Sequence, residues 1–198
     1  MDVNGRRIVV FSGSNSQRES DFLLAEQLGG ELARAGFVAV NGGGPGLMDA
    51  LLRGAKQAEG KTFAVQLNKH QREQSAFADD YTAFDHLRPR QDALREMADG
   101  FMALPGGLGT VYEVMEVLAL KNSGQLHSAP LILLSDHFRP LVSWLESMCS
   151  YGMVSKRWRT FFAMAETVPE GVDLLRKWLE KGCLESADQS LEFPPIFP

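Results

Sequence analysis

Short apolar runs alternate along the chain with longer segments in which apolar residues recur every three or four positions. Unbroken apolar runs between turn residues are typical of buried strands, and the three-to-four spacing is typical of amphipathic helices. Leu24, Leu28 and Leu32, for example, define one face of a helix that we predict over residues 19–35. Seven runs favour strands: residues 8–11, 37–40, 62–67, 83–87, 101–104, 130–134 and 161–168.

Helices are predicted between these strands. Strands that alternate with helices at this spacing indicate βαβ units and a parallel sheet that is covered on both faces. We therefore predict an α/β fold with a Rossmann-like, doubly wound parallel sheet of about seven strands in three αβα layers. The further predicted helices cover residues 47–58, the segment that starts at Pro89, the segment after Gly109, and residues 138–148 and 170–180.

The length of 198 residues fits one domain, which we place at residues 1–183. Residues 184–198 form a predicted irregular C-terminal tail, because their prolines are incompatible with a helix. Residues 68–82 lack periodicity and are predicted to form a loop over the sheet edge.

Composition narrows the range of partners. The formal net charge of −5 and the pI near 5.4 argue against a basic surface for nucleic acid. No apolar run has the length of a membrane span or a signal peptide, so we expect a cytoplasmic protein with no membrane partner. The four histidines and two cysteines have no metal-ligand spacing, and we expect no metal or cofactor.

Residues 100–121 combine a strand, a glycine-rich turn and the start of a helix. The turn contains Gly106, Gly107 and Gly109 and ends at Thr110. Free backbone N–H groups and the helix dipole make such a helix start a binding site for anions. We predict that a phosphate docks at this turn.

Ligands of open parallel sheets bind at the carboxyl ends of the strands. Several candidate segments fall at that edge, so residues far apart in sequence can meet there. Arg90 and Glu113, 23 positions apart, are expected to meet above the sheet. The other segments are the turn with Ser12 and Gly13, the glycine run with Gly43 and Gly44, and the turn from Pro105 to Thr110.

Glu113 and Glu116 lie on a helix that is apolar on nearly all sides. Val114 and Leu118 belong to one apolar face, and Val117 shares the side of the glutamates. A helix of this kind is buried all round, so its carboxylates need a partner. A carboxylate close to Arg90 would stay ionised.

Several other motifs are absent. The glycine run at 42–46 has Asp49 where a dinucleotide fingerprint requires its third glycine, and neither glycine loop carries the lysine of a P-loop. No Gly-x-Ser-x-Gly elbow is present for nucleophilic serine catalysis.

At these residues the sequence resembles the LONELY GUY family of cytokinin-activating phosphoribohydrolases, whose members were often mislabelled as lysine decarboxylases. The family signature Pro-Gly-Gly-x-Gly-Thr-x-x-Glu is matched by residues 105–113, and the similarity spans most of residues 8–180. The family's upstream Arg-Lys pair is matched by Arg90 and Gln91, so the lysine is lost. Glu73 is the nearest match to a glutamate that contacts substrate in the family.

The resemblance implies hydrolysis of the N-glycosidic bond of a nucleoside 5′-monophosphate, such as AMP or an N6-substituted AMP, by a homodimer with active sites near the interface. It implies that the turn at 106–110 binds the 5′-phosphate, with help from the Thr110 hydroxyl. Glu113 would stabilise the sugar cation or activate water, and Arg90 would orient Glu113 and the ribose or assist the leaving base. Glu116 would bind ribose hydroxyls or support Glu113.

Two other functions stay open at this point. Related folds use similar glycine loops to carry phosphorylated cofactors such as molybdenum cofactor, so a carrier without activity is one alternative. A decarboxylase that uses pyridoxal phosphate is the other, but it needs a lysine beside the phosphate site. Lys121 lies more than two helical turns beyond Glu113.

Overall fold

The computed structural model describes residues 4–68, 73–126 and 129–182. Seven parallel strands form one sheet in the order β4-β3-β2-β1-β5-β6-β7. This confirms the predicted doubly wound α/β fold. The strands are β1 Arg7–Phe11, β2 Val38–Asn41, β3 Thr62–Leu67, β4 Asp80–Phe84, β5 Gly100–Ala103, β6 Leu131–Leu134 and β7 Ala163–Ala165.

In the described residues an α-helix follows every strand except β3, and the helices cover both faces of the sheet. One hydrophobic core lies between the sheet and α1, α2 and α6, and a second lies between the sheet and α3, α4 and α5. Successive residues of a strand pack in opposite cores: in β1, Val10 lies in the first core and Val9 in the second. The helices are α1 Glu19–Arg34, α2 Leu47–Gln57, α3 Leu87–Glu96, α4 Leu108–Asn122, α5 Arg139–Ser150 and α6 Val168–Lys181.

The strand order reverses between β1 and β5. From β1 the chain winds outward through β2, β3 and β4, and from β5 it winds the other way through β6 and β7. Such a reversal leaves a crevice at the carboxyl edge, because the connections after the two central strands leave in opposite directions. The turns after β1 and β5 therefore border the natural ligand position of this fold.

The main differences from the predicted elements lie around β4. The strand covers Asp80–Phe84 instead of residues 83–87, and the predicted 68–82 loop therefore ends earlier. As the edge strand it leaves all five of its residues exposed or half-buried, so it lacks the apolar run of a central strand. Helix α3 begins at Leu87, with Pro89 third in its first turn, where the missing N–H costs no hydrogen bond.

Two later boundaries also differ. β7 is limited to Ala163–Ala165, and a 3₁₀ helix at Lys156–Thr160 precedes it. Helix α6 begins at Val168 instead of residue 170, because the Thr167 hydroxyl accepts a hydrogen bond from the Glu170 N–H and caps it. The predicted tail at residues 184–198 lies outside the described residues.

Helices α1 and α2 cross in close contact through two glycines. A Cβ on Gly29 would overlap the Leu51 carbonyl of α2, and a Cβ on Gly54 would overlap the Glu26 carbonyl of α1. The backbones can approach this closely only because neither position has a side chain. In the described ranges, no helix combines the length and the apolar character that crossing a membrane requires.

Candidate active site

Three turns at the carboxyl edge are joined by backbone hydrogen bonds. The Gly13 N–H donates to the Pro105 carbonyl over 3.1 Å, and the Leu47 N–H donates to the Gly13 carbonyl over 3.2 Å. Close packing reinforces this arrangement, since a Cβ on Gly106 would overlap the Thr110 side chain. The turns that follow β1, β2 and β5 thus form one connected platform.

The N-terminus of α4 lies on this platform with its backbone donors open. No side chain from the described residues caps it, and none of them supplies a partner for the N–H groups of Leu108, Gly109 and Thr110. The first turn contains no acidic residue, and a Cβ on Gly107 or Gly109 would meet no atom within 4 Å. Free donors, the positive end of the helix dipole and open space together suit an anion.

A cavity of about 520 Å³ lies at the switch point in front of these donors. This volume falls in the range of sites for small molecules. Its lining joins the turns after β1 and β2, the first turns of α3 and α4, and residues at the ends of the strands. The lining residues that carry polar side chains are Ser12, Ser14, Asn15, Asn41, Arg90, Gln91, Thr110, Tyr112 and Glu113.

Arg90 and Glu113 meet in the cavity wall. Arg90 Nη1 lies 3.2 Å from Glu113 Oε1, and Arg90 Nε donates to the Val65 carbonyl over 2.8 Å. Gln91 Nε2 donates to the same Glu113 oxygen over 3.2 Å. Both side chains of the ion pair are largely buried, at 12% and 11% exposure, so the pair is held in place on α3 and α4.

The environment of Glu113 raises its pKa above the ordinary carboxyl value. Burial is the largest influence; Arg90 and Gln91 lower the pKa, and Glu116 raises it. The sequence-based expectation weighed only Arg90, which lowers the pKa; burial has the larger effect, so Glu113 ionises at a higher pH than an ordinary carboxyl group. A carboxylate with a raised pKa is a stronger base toward water.

The turn after β2 makes room for Arg90. A Cβ on Gly42 would overlap the Arg90 guanidinium and approach Met48 Sδ to 2.9 Å. Asn41 fixes the turn, because its side chain donates to the Met48 carbonyl over 2.9 Å and accepts from the Gly43 N–H over 2.8 Å. This turn therefore shapes the part of the cavity wall against which Arg90 packs.

The cavity brings together part of the predicted set. Ser12, Gly13, Arg90, Gly107, Gly109, Thr110 and Glu113 line it, and the buried Ser12 Oγ has no hydrogen-bond partner in the described part of the chain.

Gly43, Gly44, Gly106, Glu116 and Glu73 are not part of the lining. Gly43 supports the loop above it by accepting a hydrogen bond from the Ser75 N–H over 2.8 Å. Glu116 is half-buried, and burial raises its pKa, opposed chiefly by Arg95. Glu73 is exposed, two positions before Ser75.

Some lining residues had no predicted role. Gln91 enters the sequence analysis only as the position of a lost lysine, and Asn41 has no predicted role there, although an Asn before a glycine is a known turn former. His137, one of the four histidines without metal-ligand spacing, also has a structural contact: its Nε2 lies 2.9 Å from the Gly106 carbonyl and supports the α4 turn from outside the cavity.

Helix α4 is less completely covered than predicted. Leu108 is 91% exposed and Tyr112 is 47% exposed, and both line the mouth of the cavity. Leu87 of α3, at 49% exposure, lines it as well. Two leucines and the ring of Tyr112 thus form a largely apolar rim, which we call the Leu87–Leu108–Tyr112 rim.

The fold and this cavity define a Rossmann-type α/β protein with an anion-suited helix N-terminus at its switch point. Residues 48–175 match the family model described as "Possible lysine decarboxylase", and the chain belongs to this family.

The named relatives indicate which activity occurs in the family. The chain is 29% identical over 178 residues to the cytokinin riboside 5′-monophosphate phosphoribohydrolase of Rhodococcoides fascians, covering 86% of this chain and 89% of the relative. It is 30% identical over 181 residues to the cytokinin riboside 5′-monophosphate phosphoribohydrolase LOG of Oryza sativa subsp. japonica, covering 88% of this chain and 74% of the relative.

Solved structures share the fold. A molybdenum cofactor binding protein from Rippkaea orientalis superimposes with a TM-score of 0.66 at 27% identity, covering 89% of this chain and 98% of that chain. The molybdenum cofactor carrier protein of Chlamydomonas reinhardtii superimposes with a TM-score of 0.69 at 21% identity, covering 89% of this chain and 99% of that chain. At this identity the similarity supports a shared fold only.

The described residues do not fit a pyridoxal phosphate site. No lysine is among the residues that line the cavity in the described ranges. Lys121 lies 13 residues along α4 from Leu108, about 20 Å at 1.5 Å per residue. Its ammonium group instead lies over the Trp178 ring, 5.1 Å from the centroid. A Schiff base at Lys121 could not reach a phosphate held at the start of α4.

Proposed function

We propose that this protein hydrolyses the N-glycosidic bond of a nucleoside 5′-monophosphate, AMP or an N6-substituted AMP, to the free base and ribose 5-phosphate. The observation that carries the proposal is the buried Arg90–Glu113 pair beside an open helix N-terminus in one cavity. The phosphoribohydrolase relatives support the same reaction class.

The 5′-phosphate would bind at the N-terminus of α4. The free N–H groups of Leu108, Gly109 and Thr110 would donate to its oxygens, and the helix dipole would favour its charge. Glu113 follows Leu108 by five residues, about 7–8 Å along the helix axis. This offset leaves room for a ribose between the phosphate and the Glu113 carboxylate.

Cleavage breaks the bond between C1′ and the base nitrogen and forms a bond between C1′ and a water oxygen. As the base leaves, positive charge develops on the sugar, as in glycoside hydrolysis. Ionised Glu113 would stabilise that charge and accept a proton from the attacking water. The base leaves with the electron pair of the broken bond and takes up one proton from solvent, and Glu113 afterwards releases the proton that it accepted, so one water is consumed for each base released.

Arg90 would position Glu113 and contact the ribose. Its guanidinium is fixed by the Val65 carbonyl on one side and by Glu113 on the other. A donor held in this way needs little reorganisation when charge develops nearby. Removal of Arg90 would leave Glu113 buried without its ion-pair partner, and the carboxyl would then hold its proton at higher pH.

Incubation with AMP and chromatographic detection of adenine and ribose 5-phosphate tests the proposal. The unmodified protein should release both products in equal amounts. Glu113→Gln and Arg90→Ala should each lower kcat at least a hundredfold while the circular dichroism spectrum stays unchanged. Glu180→Gln, the same chemical change on an exposed face of α6, should retain full activity. Full turnover by Glu113→Gln would rule out this mechanism.

A carrier of a phosphorylated cofactor is the second candidate, because a molybdenum cofactor binding protein is 27% identical over nearly its whole length. A carrier would use the same helix N-terminus but would not need the Arg90–Glu113 pair. Tight binding of AMP or of a pterin phosphate without release of any base would favour the carrier over the hydrolase.

We also propose that two copies of the chain associate around the Leu87–Leu108–Tyr112 rim. Three exposed, largely apolar side chains at one cavity mouth form a surface that a second copy can cover. Light scattering should give a dimer mass, and Leu108→Asp should shift it toward the monomer. An unchanged mass for Leu108→Asp would place the contact elsewhere.

A further inference from the structure

Gln91 is almost completely buried between α3 and α4. Its residue exposure is 4%, and it follows Arg90 directly in α3. Its Nε2 donates to Glu113 Oε1 over 3.2 Å. An ionised carboxylate only accepts hydrogen bonds, so the amide must face it with an N–H group.

Two donors of α3 share one oxygen of Glu113. Arg90 Nη1 and Gln91 Nε2 both lie 3.2 Å from Oε1. No hydrogen bond from the described residues reaches Oε2, while Glu113 lines the cavity and keeps 11% of its side chain exposed. The two bonds therefore fix the rotation of the carboxylate and leave Oε2 for a ligand.

The two donors differ in charge. The charged groups that act on Glu113 from the described residues are Arg90 on α3 and Glu116 on its own helix, and burial is the largest influence of all. Gln91 contributes a dipole and no net charge. A hydrogen bond from an amide stabilises the carboxylate less than an ammonium group at the same distance would.

We propose that Gln91 is a positioning residue for Glu113: its amide holds Oε1 against the cavity wall without adding charge, so that Oε2 faces the sugar. The proposal rests on the hydrolase function above and deepens it. Its consequence is that residue 91 sets the pH at which Glu113 becomes active, while the phosphate end of the site is unaffected.

The test compares the unmodified protein with Gln91→Met, which keeps a similar length without a donor, and Gln91→Lys, which adds a cation. Release of adenine from AMP is followed from pH 4 to 9. Gln91→Met should lower kcat about tenfold or more, keep KM within about twofold, and move the acidic limb of kcat/KM to higher pH. Gln91→Lys should move that limb down by about one pH unit or more.

The substrate phosphate titrates in the same range, but it does so equally with every variant. A difference between the variants in the pH of the acidic limb therefore comes from a group of the protein. Acidic limbs that coincide in all three proteins would overturn the proposal. So would a Gln91→Met variant that is altered in KM alone.

A titration without ligand separates this proposal from the proposed function. The Glu113 carboxyl signal is followed by carbon-13 NMR in protein labelled at glutamate side chains and is assigned by its loss in Glu113→Gln. The proposal predicts a higher titration midpoint in Gln91→Met and a lower one in Gln91→Lys. Equal midpoints would overturn it. If the unmodified protein releases no base, the hydrolase function fails, and the titration still decides the role of Gln91.

Discussion

Gly109 offers a direct test of the phosphate position, because a side chain at this residue should be tolerated by the fold but should hinder phosphate binding. It lies in the first turn of α4, and a Cβ there would meet no atom within 4 Å. The fold therefore has space for an alanine. The same methyl group would, however, stand in front of the N–H groups of α4 and hinder a ligand that approaches them.

The expected magnitudes follow from the two environments. Alanine in place of glycine in a helix raises the free energy of unfolding by about 0.5–1 kcal/mol. Loss of one hydrogen bond to a charged group costs about 1.5–3 kcal/mol, or roughly ten- to a hundredfold in kcat/KM. Gly109→Ala should thus be more stable than the parent protein and bind AMP more weakly.

The assay pairs urea unfolding with Michaelis kinetics on AMP and with calorimetric titration of inorganic phosphate. Gly30→Ala is the matched control: it lies inside α1, where the nearest atom to a new Cβ is Arg34 Nη1 at 3.4 Å. The control should gain a similar stability and keep the parent kinetics. A Gly109→Ala protein with parent KM and parent phosphate affinity would refute the assignment of the phosphate to this turn.

Three further changes probe the platform, the core and a buried charge. Gly29→Ala, next to the tolerated Gly30→Ala, should lower the free energy of unfolding by about 1–3 kcal/mol because its Cβ overlaps the backbone of α2; equal urea midpoints for the two variants would contradict the close crossing. Gly42→Ala should displace the Arg90 guanidinium and lower kcat at least tenfold with little change in the thermal midpoint; unchanged kcat would mean that Arg90 need not occupy this position. Burial lowers the pKa of Lys121 from 10.5 to about 8, so the folded protein loses this proton before the unfolded chain and stability rises between those pH values. Lys121→Met should therefore be more stable at pH 7, by at most about 3 kcal/mol, with an advantage that shrinks toward pH 10.5 in urea unfolding; a constant difference would exclude the linkage.

The architecture could be predicted because the central strands are recognisable from their own sequences. β1, β5 and β6 are buried on both faces and appear in the sequence as unbroken apolar runs. β4 lies at the edge and exposes much of its surface, so its pattern resembles that of a loop. The start of α3 was missed for a related reason, since Pro89 can occupy several positions in a first turn.

The site could be predicted in part. Arg90 and Glu113 meet because each follows the carboxyl end of a parallel strand, and this topology is visible in the sequence. Which glycine of the second turn faces the cavity depends on dihedral angles: Gly43, at a φ of +62°, turns away toward β3, and Gly42 lines the cavity. The Gln91 contact requires the relative rotation of α3 and α4, which a periodic pattern does not give.

The central claim is that the start of α4 holds a 5′-phosphate while Glu113 acts on the glycosidic bond. The most direct measurement compares AMP with adenosine, which differs only in the phosphate, as substrates of the unmodified protein. The account predicts release of adenine from AMP with kcat/KM at least a hundredfold above that for adenosine, and loss of most of this ratio in Gly109→Ala. Equal rates on the two substrates, or binding of AMP without any release of adenine, would contradict it.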